Sequence, residues 1–590
     1  MIQQLRPLFP YMRKYRSTLL FGAVCVLLNN GVWILFAQVL ARAINDLNTG
    51  HARHRLLTYA SLLLAIAGTK GIFQFLTRWL IIGVSREIEF DMRNDLFRHL
   101  EGLSYSFYQR TRTGDVMARA TNDLNAVRMG IGPAVMYSAN TLAFMSGALF
   151  FMLHISPKLT LYAFAPLPIV SIVIQRMGKQ IHFRFERIQA MFSDITARVQ
   201  ENLSGVRVIR AFVQEGPEIS RFEEDNDEYI RRSIKLVRIR GLMWPSLELM
   251  LSGSIILVLW LGGREVLQHR INLGDFVAFN TYMVQLTWPI IAVGWVIDIF
   301  QRGTASLARI QQLFDEKPEV TDADVPRTGV PTEVLGTIEF RDLTFRYPKT
   351  EESGDSEPPL VLKNVNLKVP AGTSLAIVGP TGSGKSTLVH LIPRVYDAEP
   401  ESVFVDGRPI REFPLGLLRK NVGFVPQETF LFSDTIRENI ALGVEDSTDA
   451  EVRAAADAAS IAAEIEDFPE SFDTMVGERG ITLSGGQKQR TAIARALIRN
   501  PKILVLDDAL ASVDTQTEDR ILHHLRRLME GRTTIFISHR VSTVRDADQI
   551  AVLANGEIVE LGSHDELIAK NGYYTELYNK QLLEEELETV

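Results

Sequence analysis

The sequence predicts an all-α membrane domain in its first half and an α/β domain with a phosphate-binding loop in its second half. Six apolar segments in the first half each supply the roughly 20 residues that a membrane-spanning helix needs. The second half alternates like a soluble α/β domain. It contains Gly379-Pro-Thr-Gly-Ser-Gly-Lys-Ser-Thr387 between an apolar strand pattern and a helix pattern. These observations place two domains of different character on one chain of 590 residues.

The composition argues against several classes of protein. A net charge of −7 gives no sign of nucleic-acid binding, so no nucleic-acid partner is expected. The only cysteine, Cys25, lies in an apolar run, which excludes a disulfide framework and a cysteine metal cluster. The first apolar stretch is too long for the core of a cleavable signal peptide and lacks a cleavage site. We expect it to be the first spanning helix, with its basic flank on the cytoplasmic side.

The connections between the apolar segments alternate between short and long. Short polar loops follow the first, third and fifth segments, whereas the second and fourth connections are long, charged and helical in pattern. This alternation predicts helices that continue past the membrane into the cytoplasm. The segments are placed at 17–44, 57–84, 131–154, 158–178, 242–263 and 274–299.

Polar residues inside these segments are candidates for a substrate path, because an unpaired polar group in lipid is costly. We expect them to face the interior of the helix bundle or a water-filled cavity. Glu248 and Asp298 are the stronger candidates for substrate contact, with a position at the membrane edge as the alternative for each. The set is Asn29, Asn30, Gln38, Asn140, Asn280, Gln285, Glu248 and Asp298.

A polar stretch rich in proline, 315–335, separates the two domains. The α/β domain begins at the apolar pattern after it and ends before a run of glutamates. The predicted boundaries are 1–318 for the transmembrane domain, 319–335 for the linker, 336–580 for the α/β domain and 581–590 for a charged C-terminal tail.

The phosphate-binding loop has the spacing G-x-x-x-x-G-K-[ST] in the strand–loop–helix context that makes the motif specific. Its glycines let the backbone wrap a phosphate, and its N–H groups with the following helix N-terminus supply donors. Lys385 is predicted to reach the β- and γ-phosphates and Ser386 to ligate Mg²⁺. The loop therefore predicts a nucleoside triphosphate site, formed by Gly379, Pro380, Thr381, Gly382, Ser383, Gly384, Lys385, Ser386 and Thr387.

Polar residues follow three further apolar strand patterns, where parallel sheets hold their ligands. Asp507 is predicted to hold Mg²⁺ as a Walker B aspartate, and Asp508 has the position of the carboxylate that polarises the attacking water. Gln427 is expected to reach the metal or the γ-phosphate, and His539 to bond the γ-phosphate. Tyr347, ahead of the loop, is available to stack on adenine. These residues predict an ATPase.

A second phosphate-binding element lies about 100 residues later. Leu483-Ser-Gly-Gly-Gln487 opens a helix pattern, so Ser484 and the amides of Gly485 and Gly486 predict an anion site at a helix N-terminus. If the two elements cannot meet within one domain, two domains must pair head to tail around ATP. Hydrolysis would then release the pair.

These motifs occur in the order of ATP-binding cassette (ABC) domains, and with six spans in front the chain resembles an exporter-type half-transporter. The resemblance covers essentially the whole chain. It implies the type I exporter fold, also called the type IV ABC fold, fused to an ABC nucleotide-binding domain. Ser512-Val-Asp514 resembles the D-loop, which adds Asp514 to the nucleotide site. Thr113–Asp123 and Arg210–Glu215 resemble the two coupling-helix regions.

The resemblance also implies an activity and a location. It implies ATP-driven efflux of amphipathic drugs or lipids, with ATP and Mg²⁺ as cofactors. It implies a multi-pass protein of the inner (cytoplasmic) membrane with its nucleotide-binding domain in the cytoplasm. The implied partners are the lipid bilayer, the amphipathic substrate and a second half-transporter subunit.

One departure from the family concerns Asp508, where the family usually has glutamate. Here the chain resembles the MdlA-type subunits of heterodimeric, multidrug-resistance-like exporters. Aspartate is shorter by about 1.5 Å, and a displacement of about 1 Å can cost about 100-fold in rate. We therefore expect a slow ATP site on this chain. Its Leu483–Gln487 segment, which resembles the intact signature of the family, is expected to complete the site of a partner with a Walker B glutamate. A regulatory half that gates a competent partner and a homodimeric exporter or lipid flippase remain open alternatives.

Overall fold

The structure is a computed structural model in which six long helices make up the membrane part. Each is long and apolar enough to cross a membrane, and each contains one of the six predicted segments. They are called spanning helices 1 to 6 and extend over Arg16–Asn48, Leu56–Glu101, Thr113–Ile155, Pro157–Ser204, Glu215–Leu267 and Leu273–Asp315.

The structure describes most of the chain. The described residues are 3–48, 55–348, 357–477, 483–509, 531–538 and 544–588. Of the predicted site residues, Asp514 and His539 lie outside these ranges.

The spanning helices are longer than a membrane requires. Spanning helix 5 has 53 residues, which makes it about 80 Å long against a hydrocarbon layer of about 30 Å. Spanning helix 3 includes two π-helical turns, at Arg119–Asp123 and Gly130–Ala134. Spanning helix 4 is interrupted between Phe164 and Leu167, next to Pro166. The excess length agrees with the predicted continuation of the helices beyond the membrane.

A buried carboxylate ties spanning helices 3 and 6 together. Asp123 accepts hydrogen bonds from Ser306 Oγ at 2.8 Å and from Arg309 Nε at 2.9 Å. Close by, a Cβ on Gly303 would lie only 3.2 Å from the Ala126 carbonyl oxygen, so the two backbones approach closely there. The first and sixth helices are joined in the apolar core, where Gln38 Nε2 donates to the Tyr282 hydroxyl at 3.0 Å.

The chain divides into two compact units. The first unit comprises residues 1–97 and 117–313, and the second comprises 98–116 and 314–590. Segment 98–116 contains the short helix Tyr105–Arg110. The Tyr105 ring lies 5.9 Å from that of Tyr396 within the second unit.

The two predicted coupling regions differ in their local structure. Thr113–Asp123 opens spanning helix 3 and is not a separate transverse helix. The separate helix is Tyr105–Arg110, because the backbone becomes extended at Thr111 (φ −112°, ψ 127°) and ends it there. At the second region, the short helix Val206–Ala211 precedes spanning helix 5, which begins at Glu215.

Two sheets form the frame of the second unit. One has four antiparallel strands in the order β2-β1-β4-β5, and the other has six strands in the order β10-β9-β3-β8-β7-β6. Strands β9, β3, β8, β7 and β6 are parallel, and β10 pairs antiparallel with β9. The strands are β1 Ile338–Phe345, β2 Leu362–Val369, β3 Ser374–Val378, β4 Val403–Val405, β5 Arg408–Pro409, β6 Val422–Val425, β7 Ile503–Asp507, β8 Thr533–Ile537, β9 Gln549–Ala554 and β10 Glu557–Gly562.

The five parallel strands of the six-stranded sheet are buried on both faces. Leu375 and Ile377 of β3 pack with residues of the four-stranded sheet, whereas Ala376 and Val378 pack with residues of the helices. Burial on both faces explains why these strands read as unbroken apolar runs. The α-helices that the structure describes after the linker are Lys385–His390, Leu415–Asn421, Ile436–Ala441, Asp449–Ala458, Ala462–Glu466, Gly485–Leu497, His564–Lys570 and Tyr573–Glu588. Six spanning helices followed by an α/β domain confirm the predicted fold class.

Candidate functional site

The parallel strands bring the predicted motifs to one edge of the six-stranded sheet. In the strand register Ile377 pairs with Ile537, Ile537 with Asp507, and Leu506 with Val425. The P-loop (Gly379–Thr387) follows β3, Asp507 ends β7, and Gln427 lies two residues after β6. Ligand sites of such sheets lie at the carboxyl ends of the strands. This topology assembles the site from segments far apart in sequence.

The P-loop has the backbone that its glycines predict. Gly379 has φ +148°, and a Cβ there would lie 2.0 Å from the Leu553 carbonyl oxygen. Gly384 has φ +101° and opens the helix Lys385–His390. The hydroxyl of Ser383 is buried and has no hydrogen-bond partner. An orphaned buried hydroxyl in a left-handed, glycine-lined loop fits a phosphate ligand.

Lys385 is held inside this loop. Its Nζ donates to the carbonyl oxygens of Gly379 and Pro380 at 2.9 Å each, and the residue is only 7% exposed. Burial lowers the pKa of Lys385 below its usual value, while the charges of Asp508 and Asp507 oppose that shift. The loop therefore holds an ammonium group next to the backbone that would surround the phosphates.

Ser386 and Asp507, two of the three predicted metal ligands with Gln427, lie together. The Ser386 hydroxyl donates to Asp507 Oδ1 at 2.9 Å, and Asp507 is 1% exposed at the end of β7. Two adjacent hard oxygen donors beside a phosphate loop suit Mg²⁺, which keeps several waters and binds phosphates as well. Gln427 is exposed at the same sheet edge.

Sequence reasoning missed His390 near this pair. Its Nε2 lies 3.7 Å from Asp507 Oδ2, and its ring packs edge-on against Phe424 at 5.4 Å. The signal was present, since His390 follows Ser386 by four residues on one helix face. His390 therefore lies near the carboxylate oxygen that does not accept from Ser386.

Asp508 has an unusual backbone conformation. It lies directly after β7 with φ +49°, and its N–H donates to the Ile537 carbonyl oxygen at 3.1 Å. Aspartate tolerates this left-handed region better than most residues with a side chain. The strand end therefore turns sharply at the residue that was predicted to polarise water.

Tyr347 lies against the P-loop. Its hydroxyl is 2.8 Å from Thr387 Oγ1, and its ring packs edge-on to Tyr396 at 5.2 Å. A cavity of about 320 Å³ lies beside the tyrosine. This position is compatible with a base that packs beside the loop.

The signature segment (Leu483–Gln487) begins the helix Gly485–Leu497 with reciprocal capping. Ser484 Oγ accepts from the Gln487 N–H at 3.2 Å, and Gln487 Oε1 accepts from the Ser484 N–H at 3.0 Å. Among the described residues, this segment makes no hydrogen bond with the P-loop. Ser484 and Gly485 are exposed, so the helix N-terminus is available to another molecule.

Glu464, which sequence reasoning also missed, anchors the signature helix. Its carboxylate accepts from Gln487 Nε2 at 3.1 Å and from Arg490 at 2.6 and 2.9 Å. Arg490 is only 7% exposed, so its charge depends on this carboxylate. Only the fold brings Glu464 next to a helix that begins about 20 residues later.

We expect Glu464→Ala to lower the free energy of unfolding by about 1–3 kcal/mol, because it leaves a buried guanidinium without its charged acceptor. Thermal unfolding of the purified chain measures the change. Glu466→Ala is the matched control, since Glu466 pairs with Arg453 at the surface and such pairs contribute little. Equal shifts in both variants would contradict the anchoring role.

Only some of the predicted polar residues of the spanning helices lie around a common cavity. Asn29, Asn30, Asn140 and Gln285 line one cavity of about 310 Å³ in the first unit. Glu248 and Asp298 are exposed and do not line it, and Asp298 pairs with Arg302 one helical turn away at 2.5 Å.

Two cationic side chains that were not predicted from the sequence, those of Lys70 and Arg78, also line the cavity. Both lie within the apolar segment predicted at 57–84, where a charge is rare enough to be a signal by itself.

The site and the fold together define a membrane protein whose C-terminal domain is a P-loop nucleotide-binding domain. Family comparisons agree. Residues 19–290 match the model of the ABC transporter transmembrane region, and residues 362–511 match the ABC transporter model.

Relatives resemble the chain over nearly its whole length. It is 37% identical to the "Probable multidrug resistance ABC transporter ATP-binding/permease protein YheI" of Bacillus subtilis, over 99% of this chain and 98% of the relative. It is also 37% identical to the "Multidrug resistance-like ATP-binding protein MdlA" of Escherichia coli, over 90% of this chain and 89% of that protein. A solved structure titled "Structure of a bacterial Atm1-family ABC exporter with ATP bound" matches with a TM-score of 0.77, at 30% identity over 96% of this chain and 98% of the other.

The chain belongs to the ABC transporter family, as an exporter half-transporter with a transmembrane domain and a nucleotide-binding domain. It is a multi-pass membrane protein and a transporter ATPase that binds ATP. The predicted fold and enzyme class are confirmed.

Proposed function

We propose that the chain drives ATP-dependent efflux of amphipathic drugs or lipids as one half of a heterodimer in the inner (cytoplasmic) membrane, with its nucleotide-binding domain in the cytoplasm. The observation that carries the proposal is the separation of two phosphate-binding elements. The P-loop is built for a nucleotide, yet the capped signature segment makes no hydrogen bond with it. A second half-transporter that offers its own signature would complete the site.

Each loop residue has a defined task in this proposal. Lys385 would exchange its contacts with the Gly379 and Pro380 carbonyls for phosphate oxygens, and Ser383 would use its unpartnered hydroxyl. Ser386 and Asp507 would hold Mg²⁺, which supplies charge neutralisation at the β- and γ-phosphates. Tyr347 would pack against the base.

The remaining residues act on the water and the γ-phosphate. Asp508 would orient the attacking water, and Gln427 and His539 would contact the γ-phosphate side. Asp514 would bridge toward the partner.

The carboxylate at position 508 favours a partner that differs from this chain. A side chain shorter by one methylene sets its oxygens back by about 1.5 Å, enough to slow hydrolysis about 100-fold. A partner with glutamate at the equivalent position would supply the fast site, which the signature segment of this chain completes. The same observation favours a second candidate function, a regulatory half that binds ATP and gates the partner without hydrolysing it.

Transport by reconstituted protein tests the proposal. The chain, a related half-transporter with a Walker B glutamate, and the co-expressed pair are each placed in inside-out vesicles, and ATP-driven uptake of an amphipathic fluorescent dye is measured. We expect transport by the pair alone, and its loss in the pair that carries Lys385→Ala. Brisk transport by the chain alone would establish the homodimer. Full transport by a pair that carries Asp508→Asn would establish the regulatory reading.

A further inference from the structure

An intramembrane cavity in the first unit combines cations, aromatic rings and buried amides. It lies between spanning helices 1, 2, 3 and 6 and has a volume of about 310 Å³, within the range of small-molecule sites. Lys70, Arg78, Asn29, Asn140, Gln285 and Trp33 carry its chemistry.

Lys70, one of the two cations of this cavity, lies near the middle of the apolar segment predicted at 57–84. Lys70 lies 14 residues after Leu56, about 21 Å along a helix that crosses a hydrocarbon layer of about 30 Å. Its Nζ stands 3.5 Å from the centre of the Trp33 ring, and Arg78 lies two helical turns further along. A charge at this depth is expensive and is retained where it binds something.

The cavity provides no counter-charge from the protein. Among the described residues that line it, none is aspartate or glutamate. The Trp33 ring stabilises an ammonium group but does not neutralise it. An anionic group of a ligand would balance the positive charge of Lys70 and Arg78.

Two amide side chains that line the cavity have buried oxygen atoms without a hydrogen-bond donor among the described residues. Asn29 is 91% buried, yet its Oδ1 has no hydrogen-bond partner in the part of the chain that the structure describes, and neither has the buried Oε1 of Gln285. The orientation of Asn29 follows from its neighbour. Asn140 Nδ2 donates to the Met136 carbonyl at 2.9 Å, so Asn140 Oδ1 faces the Asn29 and Asn30 amides and accepts from their Nδ2 atoms at 3.3 and 2.9 Å. Asn29 Oδ1 is therefore left for a donor from outside the protein.

We propose that this cavity binds a headgroup with an anionic phosphate that also carries N–H or O–H donors, the chemistry of phosphoethanolamine or phosphoglycerol. Lys70 and Arg78 contact the anion, Asn29 Oδ1 and Gln285 Oε1 accept from the donors, and Trp33 packs on the apolar part. The inference deepens the proposed function by naming the chemistry of the cargo, and it rests on that function only in treating the bound molecule as cargo. The bilayer and the aqueous phase are both sources of such a group.

Native mass spectrometry of the full chain tests the two contacts separately. The probes are phosphatidylethanolamine, phosphatidylglycerol and phosphatidylcholine, the last of which has the phosphate but no N–H or O–H donor. We expect the wild type to retain the first two in preference to phosphatidylcholine. Lys70→Met should weaken all three on the order of tenfold, through loss of a charged contact. Asn29→Leu should abolish the preference for donor-bearing lipids while phosphatidylcholine binding stays unchanged.

Lys158→Met is the matched control, since Lys158 is exposed at the start of spanning helix 4 near Glu265 and should leave all lipid binding intact. Displacement of lipid by free phosphoethanolamine would support the same chemistry and assign an aqueous source, and resistance to it would assign a lipid source. Equal retention of the three lipids by the wild type, or no loss in Lys70→Met relative to Lys158→Met, would overturn the proposal and leave a cavity that holds only water.

The two proposals can fail independently. If the wild type transports dye with its partner but shows no headgroup preference, only the headgroup inference falls. If the preference follows Lys70 and Asn29 while no pairing yields transport, the export function falls and the binding site stands.

Discussion

Asp508→Glu is expected to raise the ATPase rate of the purified chain by about 100-fold. The substitution extends the side chain by one methylene, about 1.5 Å, and brings its oxygens to the distance at which a water beside the γ-phosphate can be polarised. The other residues of this chain that hold the phosphates and Mg²⁺ need no change, because Lys385, Ser386 and Asp507 are already in place. Steady-state phosphate release at saturating ATP measures the effect.

The matched variant Asp508→Asn separates the effect of the carboxylate charge from the effect of side-chain length. It keeps the size of the side chain but removes the carboxylate, so it should stay at or below the low rate of the wild type. A wild-type chain that alone hydrolyses ATP briskly, with little change in Asp508→Glu, would identify Asp508 as a working catalytic carboxylate. The heterodimer proposal would then fail.

The backbone at Asp508 adds a second readout. Its φ of +49° lies in the left-handed region, which aspartate tolerates better than glutamate. The gain in rate should therefore be accompanied by a loss of about 1 kcal/mol in stability, or about 2–4 °C in Tm for a domain of this size. Asp508→Gly should relieve the strain but show no ATPase activity.

Gly379→Ala is expected to produce the largest loss of stability among the P-loop variants. The added Cβ would lie 2.0 Å from the carbonyl oxygen of Leu553, which is backbone of the neighbouring strand β9 and cannot rotate away. With a φ of +148° as a further penalty, we expect a loss of about 3 kcal/mol in the free energy of unfolding. Thermal unfolding without nucleotide measures this loss, and nucleotide binding should fall because Lys385 loses the Gly379 carbonyl as its anchor.

Gly382→Ala serves as the control in the same loop. Gly382 has φ +80°, but a Cβ there would meet no heavy atom within 4 Å. This variant should lose only the conformational part, about 1 kcal/mol. Similar losses in both variants would show that packing of the loop against β9 does not matter.

Local sequence patterns determined the two-domain architecture and the nucleotide site. Spanning helices were predictable because their apolar length is a property of each segment alone. The P-loop was predictable because only glycine adopts the backbone that it requires, at Gly379 and Gly384. The pairing of Ser386 with Asp507 followed from the rule that parallel strands present their carboxyl ends at one edge.

Tertiary structure decided the features that depend on neighbours from other elements. The short helix Tyr105–Arg110 packs Tyr105 on Tyr396, a contact that no local pattern reveals. Glu464 became important only when the fold set it beside Arg490. Glu248 and Asp298 were the stronger candidates because of their charge, yet the cavity is lined by Lys70, Asn29 and Asn140. The sequence determined which residues are costly in a membrane. Helix packing decided which of them face each other, because their neighbours come from segments that lie far apart along the chain.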